Sequence, residues 1–216
     1  MRVSRGRADT IAADHERTDA LVARAVECGG PALRVWTPHQ QVAFGRRDAR
    51  TDGYDEATAA AERRGYPAIE RAVGGRAVAF SGSTLAVVHA EPDADRTAIQ
   101  SRYDDAGARV RRALASVGVD ATDGEPPNSF CPGTHSLQAD GKLVGLAQRV
   151  RSDVAITAGV VLVADRAAVA RVLDPVYDAL GVPFDLDSVG SVAHAGGPAD
   201  PERVGDALVA AFTDGS

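Results

Sequence analysis

The stretch Gly141-Lys142-Leu143-Val144-Gly145-Leu146-Ala147-Gln148-Arg149 contributes most to the prediction of the fold. Its residues predict a strand over 143–150, and the apolar run 154–163 predicts a second strand directly after it. Lys142 opens the first strand, and Gly145 leaves one of its faces without a side chain. A cation beside such a bare face can stabilise charge on a carboxylate, an acyl phosphate or a thioester carbonyl. The alternative is an edge strand whose residues merely alternate.

The overall composition gives Lys142 particular weight. The chain has 216 residues and 24 basic side chains, of which only Lys142 is a lysine and all the others are arginines. The guanidinium of arginine is planar and presents several N–H donors, whereas lysine carries a compact ammonium that can also lose its proton. A position that keeps lysine in this background is therefore one where the ammonium itself matters. The alternative is an incidental surface lysine in a hairpin turn.

Composition also excludes several classes of protein. The 30 acidic residues give a net charge of −6, which argues against a protein that coats nucleic acid or binds an anionic membrane. Runs of about 18–20 apolar residues, as a membrane span requires, are absent from the sequence, and charged residues follow Met1 where a signal peptide would be apolar. Two cysteines are too few for a secreted disulfide scaffold. We therefore expect a cytoplasmic protein.

The remaining sequence predicts short strands that alternate with helices. Apolar residues at helical spacing predict helices over 9–28, 54–64 and 99–117, two short helices around 166–173 and 176–180, and a C-terminal helix that contains Val204 and Phe212. Further strands are predicted over 33–36, 42–44, 68–69, 77–80, 84–90 and 136–139. Because hairpins join several strands, the pattern favours an α+β or mixed α/β fold, formed as one domain over 1–216.

A second stretch of interest is Glu70-Arg71-Ala72-Val73-Gly74-Gly75-Arg76-Ala77-Val78. Its two adjacent glycines allow backbone to approach a ligand closely and to present N–H groups without a Cβ in the way. Arg71 and Arg76 flank the glycines and could bind a phosphate or carboxylate through paired hydrogen bonds. The alternative is an ordinary turn with two solvated arginines.

A third stretch is the proline-rich segment Asn128-Ser129-Phe130-Cys131-Pro132-Gly133-Thr134-His135. A cysteine in an irregular segment near Lys142 and a histidine could be a reactive nucleophile. It could equally be a small buried apolar residue, the more common fate of a free cysteine. The other cysteine, Cys28, has no comparable neighbours, and we interpret it as structural.

Several familiar catalytic motifs are absent from the sequence. Lys142 is not part of a phosphate-binding loop, because Ser136 and Leu143 stand where that motif needs glycine and serine or threonine. The metal motif H-E-x-x-H and the hydrolase motif G-x-S-x-G do not occur, and the five histidines are scattered. We therefore predict neither a metal site nor a serine hydrolase.

The three stretches, in this order, resemble the lipoate–protein ligase and octanoyltransferase family, whose relatives are the biotin–protein ligases. The segment 36–46 is similar to the family's early hairpin, which ends in Gly-Arg or Gly-Tyr. The segment 71–78 is similar to its acyl-pocket signature of an arginine followed by a diglycine. The segment 141–149 is similar to the strand that carries its catalytic lysine, here Lys142. The resemblance extends over about two thirds of the chain, 12–163.

The resemblance implies a mostly antiparallel or mixed sheet curved around an acyl tunnel, with flanking helices. It also implies attachment of a lipoyl or octanoyl group to a lysine of a carrier domain, in the E2 subunit of a 2-oxoacid dehydrogenase or in the H-protein of glycine cleavage. Lys142 would stabilise the acyl carbonyl or the acyl-adenylate. The expected substrate-binding residues are Arg71, Gly74, Gly75, Arg76, Ala77, Gly145, Ala147 and Gln148.

Two mechanisms remain open within this family. A ligase would use ATP and Mg²⁺ to activate lipoate, and in this chain could need an accessory subunit. A transferase would instead carry the acyl group on Cys131 as a thioester, without ATP. The residues Glu70, Phe80 and Ala158 depart from the family's usual pattern. These departures motivate an alternative of another class, a non-catalytic module that binds lipoate or another acyl group.

Overall fold

The computed structural model describes residues 1–71, 74–92, 95 and 97–214. Its helices are α1 (Ile11–Cys28), α2 (Tyr54–Glu62), α3 (Ile99–Ser116), α4 (Arg166–Ala179) and α5 (Pro201–Thr213). Its strands are β1 (Arg2–Arg5), β2 (Ala32–Trp36), β3 (Gln41–Phe44), β4 (Ala68–Glu70), β5 (Val78–Phe80), β6 (Thr84–Pro92), β7 (Thr122–Asp123), β8 (Ser136–Gln138), β9 (Lys142–Val150) and β10 (Val154–Leu162).

The strands form two sheets. The large sheet has the order β1-β2-β6-β10-β9-β8-β7, with β1 and β2 parallel and every other neighbouring pair antiparallel. The small sheet has the order β4-β3-β5, with one parallel and one antiparallel pair. Strands β9 and β10 form the antiparallel hairpin at the heart of the large sheet. The mixed α/β fold predicted from the sequence is therefore confirmed.

The helices cover the two faces of the large sheet differently. Helix α1 packs against β2, β6 and β10 on one face, whereas α3 and α5 pack on the other face against a core that includes Leu33, Val87 and Val144. Helices α2 and α4 pack together beside the small sheet around a second core that includes Phe44 and Leu173. Burial of these apolar faces, at about 25 cal/mol per Å², is what holds the layers together.

The prediction of two short helices over 166–180 was wrong. The structure has the single helix α4, with Pro175 inside it. Proline usually interrupts a helix because it lacks the N–H group and clashes with the preceding turn. Here the buried residues Leu173 and Val176 lie on either side of Pro175 and belong to one core. Packing of this continuous apolar face stabilises the helix through the proline.

Candidate functional site

A cavity of about 360 Å³ lies between α1, the large sheet and the small sheet. On the large sheet its wall includes Ala147 of β9 and Ala158 of β10, which are directly paired, and Ala86 of β6, which pairs with Val160, two residues further along β10. Because these side chains are small, space remains under α1 that larger residues would fill. The lining is mostly apolar and includes a few polar side chains such as Gln41, Glu70 and Arg71, as in many small-molecule sites. Such a cavity suits the hydrocarbon chain of an acyl group.

Arg71 connects this cavity to Cys131. Its side chain lines the cavity, and Nη2 donates a hydrogen bond to the carbonyl oxygen of Arg76 at 2.6 Å and to Sγ of Cys131 at 3.3 Å. The backbone N–H of Arg76 donates to the same sulfur, also at 3.3 Å. A guanidinium and an amide directed at one sulfur stabilise negative charge on it, and the thiolate is the nucleophilic form of cysteine. The geometry therefore supports a nucleophile at Cys131.

The diglycine loop approaches the sulfur so closely that glycine is required. Gly75 has a φ of +94°, and a Cβ atom there would lie 2.7 Å from Sγ of Cys131. Gly45, after β3, packs on the same loop, since its Cβ would lie 1.9 Å from the carbonyl oxygen of Gly75. Gly74 is exposed beside it. Two other residues of the predicted motif, Ala72 and Val73, lie outside the described residues.

The guanidinium of Arg76 is committed to an ion pair within the protein. Its Nη1 lies 3.0 Å from Oδ1 of Asp48, whose side chain is fully buried. The other oxygen of Asp48 accepts a hydrogen bond from the backbone N–H of Gly45 at 3.1 Å. Asp48 thus joins the end of β3 to the diglycine loop. The early hairpin that the resemblance implies for 36–46 is not formed, because β2 and β3 lie in different sheets. In this arrangement Arg76 contributes its backbone amide, rather than its side chain, to the sulfur.

Tyr177 of α4 is hydrogen-bonded to the backbone at Cys131. Its hydroxyl accepts a hydrogen bond from the N–H of Cys131 and donates one to the carbonyl oxygen of Ala77 at 3.0 Å. Burial raises the pKa of Tyr177 well above its ordinary value, and the neighbouring Cys131 raises it further. The hydroxyl therefore keeps its proton at neutral pH. Ala77, predicted to bind substrate, is fully buried in this contact.

Lys142 is fully buried, and its ammonium binds the segment that carries Cys131. Nζ donates to Oε2 of Glu125 at 2.6 Å and to the carbonyl oxygens of Phe130 and Cys131 at 2.9 and 2.8 Å. The resemblance implies that Lys142 acts on the acyl carbonyl, but Lys142 is not among the residues that line the described cavity. Lys142 lies behind the loop, next to the bare face left by Gly145, where a Cβ would be 3.6 Å from its Cε.

The other predicted residues of β9 divide between the two faces of the sheet. Ala147 lines the cavity, but Gln148 points to the opposite face, where Oε1 accepts a hydrogen bond from Nε of Arg102 in α3 at 3.1 Å. Gln148 therefore does not join the described cavity wall. The departures from the family pattern, Glu70, Phe80 and Ala158, all line the cavity. The residues that differ from the family pattern therefore change the side chains of the cavity wall.

Sequence reasoning missed Glu125, Asp48 and Tyr177, which bind Lys142, Arg76 and the backbone of Cys131. Nothing in the local sequence singles out these three residues, because each acts on a segment distant along the chain. Within the described part of the chain, no cluster of three or more histidine, cysteine, aspartate or glutamate side chains is arranged to hold a metal ion. Nor does any described helix have the length and apolar character needed to cross a membrane.

Comparison with known proteins identifies the family. Residues 11–213 match the model of the lipoyl protein ligase A/B catalytic domain. The chain belongs to this family. The resemblance inferred from the three sequence stretches is thereby confirmed, and the match extends beyond the predicted limit of residue 163 into α4 and α5.

Several curated relatives are transferases. The chain is 32% identical over 140 residues to an octanoyl-[GcvH]:protein N-octanoyltransferase of Exiguobacterium sibiricum, covering 64% of this chain and 51% of that protein. It is 27% identical over 136 residues to a lipoyl-[GcvH]:protein N-lipoyltransferase of Listeria monocytogenes, covering 61% of this chain and 49% of that protein. The chain thus spans about half the length of these curated relatives.

Solved structures share the fold at lower sequence identity. A lipoate-protein ligase A bound with ATP superposes with a TM-score of 0.76 at 20% identity, covering 99% of this chain and 84% of that one. A putative lipoate protein ligase from Thermoplasma acidophilum with bound lipoic acid superposes with a TM-score of 0.73 at 18% identity, with the same coverage. These similarities establish the fold of the chain.

Proposed function

We propose that this chain attaches an octanoyl or lipoyl group to a lysine of a carrier protein through a thioester on Cys131. The observation that carries the proposal is the position of Sγ, which accepts hydrogen bonds from the amide of Arg76 and from the cavity-lining Arg71. The curated relatives named as octanoyl and lipoyl transferases support it. A cytoplasmic carrier of the H-protein or E2 type is the partner we propose.

The reaction we propose has two steps. In the first, the Cys131 thiolate attacks the carbonyl carbon of the acyl group on a donor carrier. The bond from that carbon to the donor's nitrogen or sulfur breaks, the leaving group takes up a proton, and a thioester forms on Cys131. In the second, the neutral amine of an acceptor lysine attacks the thioester. The carbon–sulfur bond breaks, the amine loses a proton, and the thiolate returns as an amide forms.

The cavity would hold the acyl chain during both steps. Each methylene buried in an apolar site contributes on the order of 0.8 kcal/mol, so an eight-carbon chain gains substantial binding energy there. Lys142 could act on the acyl carbonyl, as the resemblance implies, only by exchanging one of its three present acceptors. The thioester route uses no ATP or Mg²⁺ and no accessory subunit.

A non-catalytic acyl-binding module is less well supported. Its motivation is the departure of Glu70, Phe80 and Ala158 from the family pattern. These residues line the cavity, whereas the described hydrogen bonds of Cys131 involve Arg71, Arg76, Tyr177 and Lys142. The departures therefore bear on which acyl chain fits the cavity and leave the environment of the sulfur in place.

The test is to follow acyl transfer to a lipoyl carrier domain by intact-mass analysis, with and without ATP. Incubation with an octanoyl thioester should give a hydroxylamine-sensitive adduct on Cys131 and then an octanoylated carrier. Cys131→Ser should lose the adduct and slow transfer by at least about 10³-fold, the scale of losing a covalent nucleophile. Cys28→Ser is the matched control, because Cys28 is exposed at the C-terminal end of α1 and does not line the cavity.

Two outcomes would contradict the proposal. If Cys131→Ser attaches free lipoate at the wild-type rate when ATP is present, the chain is a ligase that passes through an acyl-adenylate. If the wild-type chain binds octanoate or lipoate tightly but acylates no carrier domain under either condition, it is an acyl-binding module.

A further inference from the structure

Three hydrogen-bond donors from different parts of the site converge on the carboxylate of Glu125. Oε1 accepts from the backbone N–H of Gly133 at 2.9 Å. Oε2 accepts from the hydroxyl of Ser136 at 2.8 Å and from the ammonium of Lys142 at 2.6 Å. The Glu125 side chain is 19% exposed and that of Lys142 is fully buried. Because both partners are largely shielded from water, their interaction is weakly screened.

These contacts close the segment 125–133 into a loop around the ammonium. The Glu125 side chain binds the N–H of Gly133, so the first and last residues of the segment are joined. Inside the loop, Lys142 binds the carbonyl oxygens of Phe130 and Cys131. The Lys142 ammonium therefore fixes the backbone of the loop by hydrogen bonds, and the Glu125 carboxylate fixes the position of the ammonium.

The loop fixes Cys131 in a conformation that side-chain-bearing residues seldom adopt. Cys131 has a φ of +42°, in the left-handed region. In this conformation its carbonyl oxygen points to Lys142 while its sulfur meets the diglycine loop. A strained conformation of this kind persists only where its surroundings enforce it. Tyr177 enforces it at the N–H of Cys131, and Lys142 enforces it at the carbonyl oxygen.

We propose that Glu125 is a positioning residue that holds Cys131 in its reactive place through Lys142. The carboxylate balances a buried cation that two carbonyl oxygens alone would leave uncompensated. Without it, the ammonium moves toward water, the carbonyl oxygens of Phe130 and Cys131 lose their donor, and the sulfur leaves Arg71 and Arg76. This inference extends the proposed function, because it assigns to Glu125 the placement of the nucleophile used in that reaction.

The experiment compares Glu125→Gln with Asp123→Asn, both in a Cys28→Ser background so that Cys131 is the single thiol. Asp123 is a matched control: it is two residues away, is itself exposed while paired with the half-buried Arg111, and loses the same charge. We expect Glu125→Gln to slow formation of the octanoyl adduct on Cys131 by at least about tenfold, since small misplacements of a reacting group have effects of this size or larger. Asp123→Asn should react within about twofold of its parent.

Hydrogen exchange of the backbone amides tests the same inference without any acyl substrate. In Glu125→Gln the amides of 129–131 and of Gly133 should exchange at least about tenfold faster, while those of β9 and β10 keep their protection, because only the loop is released. Faster exchange throughout the chain would show general destabilisation and would overturn a positioning role. This arm remains decisive if the wild-type chain forms no acyl adduct, so that failure of the proposed function is distinguished from failure of this inference.

A double variant tests whether Glu125 acts through Lys142. If it does, Glu125→Gln combined with Lys142→Met should form the adduct no more slowly than Lys142→Met alone. Each single change already removes the same interaction between Glu125 and Lys142, so the second change has nothing further to remove. Multiplication of the two single effects would overturn the proposal, since Glu125 and Lys142 would then act independently. Unchanged adduct formation in Glu125→Gln, with wild-type protection of the loop amides, would overturn it as well.

Discussion

Arg34 and Lys142 are both fully buried cations paired with an acid, but their partners belong to different kinds of structure. Arg34 of β2 lies 2.6 Å from Oδ1 of Asp14 and donates to the carbonyl oxygens of Gly6 and Asp14. These contacts tie the start of α1 to the large sheet. Lys142 instead binds a single irregular loop, the one that carries Cys131. The same burial of charge thus fixes the scaffold in one region and a reactive group in the other.

The largest effect should come from breaking the scaffold pair. Arg34→Met leaves the buried carboxylate of Asp14 without its cation, and we expect the free energy of unfolding to fall by about 3–5 kcal/mol. Urea denaturation measures this loss. Octanoyl transfer per folded molecule should remain close to the parent value, because the described contacts of Arg34 are with 6–18 and Trp36 and not with the Cys131 loop.

The double variant Arg34→Met with Asp14→Leu is the control for this first prediction. Removal of both charges avoids an unpaired buried carboxylate, so much of the lost stability should return. If Arg34→Met instead preserves stability and lowers the rate per folded molecule, the contrast between the two cations is wrong.

Lys142→Arg should have the next largest effect, and it should act on the other quantity: the rate of transfer falls while stability is largely kept. Three acceptors surround the ammonium in a fully buried space, and a planar guanidinium cannot match their positions. We expect transfer to a carrier domain to slow by about 100-fold, equivalent to about 2.7 kcal/mol, while circular dichroism and the urea midpoint show a folded protein. Retention of more than half of the wild-type rate would contradict this prediction.

Sequence alone could identify Lys142 but not its partner. A single lysine among arginines marked the position, and the strand that follows it appears as β9. Glu125 lies 17 residues earlier in an irregular proline-rich segment, so no periodicity links it to Lys142. Arg34 is likewise one of many arginines, and its buried role depends on how α1 meets β2. Local patterns report elements well, whereas ion pairs between segments depend on tertiary packing.

The two faces of β9 show which part of the site was accessible to prediction. Side chains alternate along a strand, so Ala147 and Gln148 must face opposite sides. That rule already separates Gln148 from a wall that contains Ala147, as the structure shows. The cavity itself could not be foreseen, because the small residues Ala86, Ala147 and Ala158 come from three strands and reach one wall only through the pairing of β6, β10 and β9.

The smallest effects are expected from changing two glycines to alanine, one in the loop beside Cys131 and one in a helix of the scaffold. Gly75→Ala places a Cβ 2.7 Å from Sγ of Cys131 at a φ of +94°, so it should slow adduct formation and destabilise the chain by about 1–2 kcal/mol. Gly107 lies inside α3, and a Cβ there meets no atom within 4 Å. The matched change Gly107→Ala should therefore raise the free energy of unfolding by about 0.5–1 kcal/mol, because alanine loses less backbone entropy in a helix. Urea denaturation and the intact-mass assay measure both variants, and equal signs of the two stability changes would show that the diglycine loop is not constrained by the sulfur.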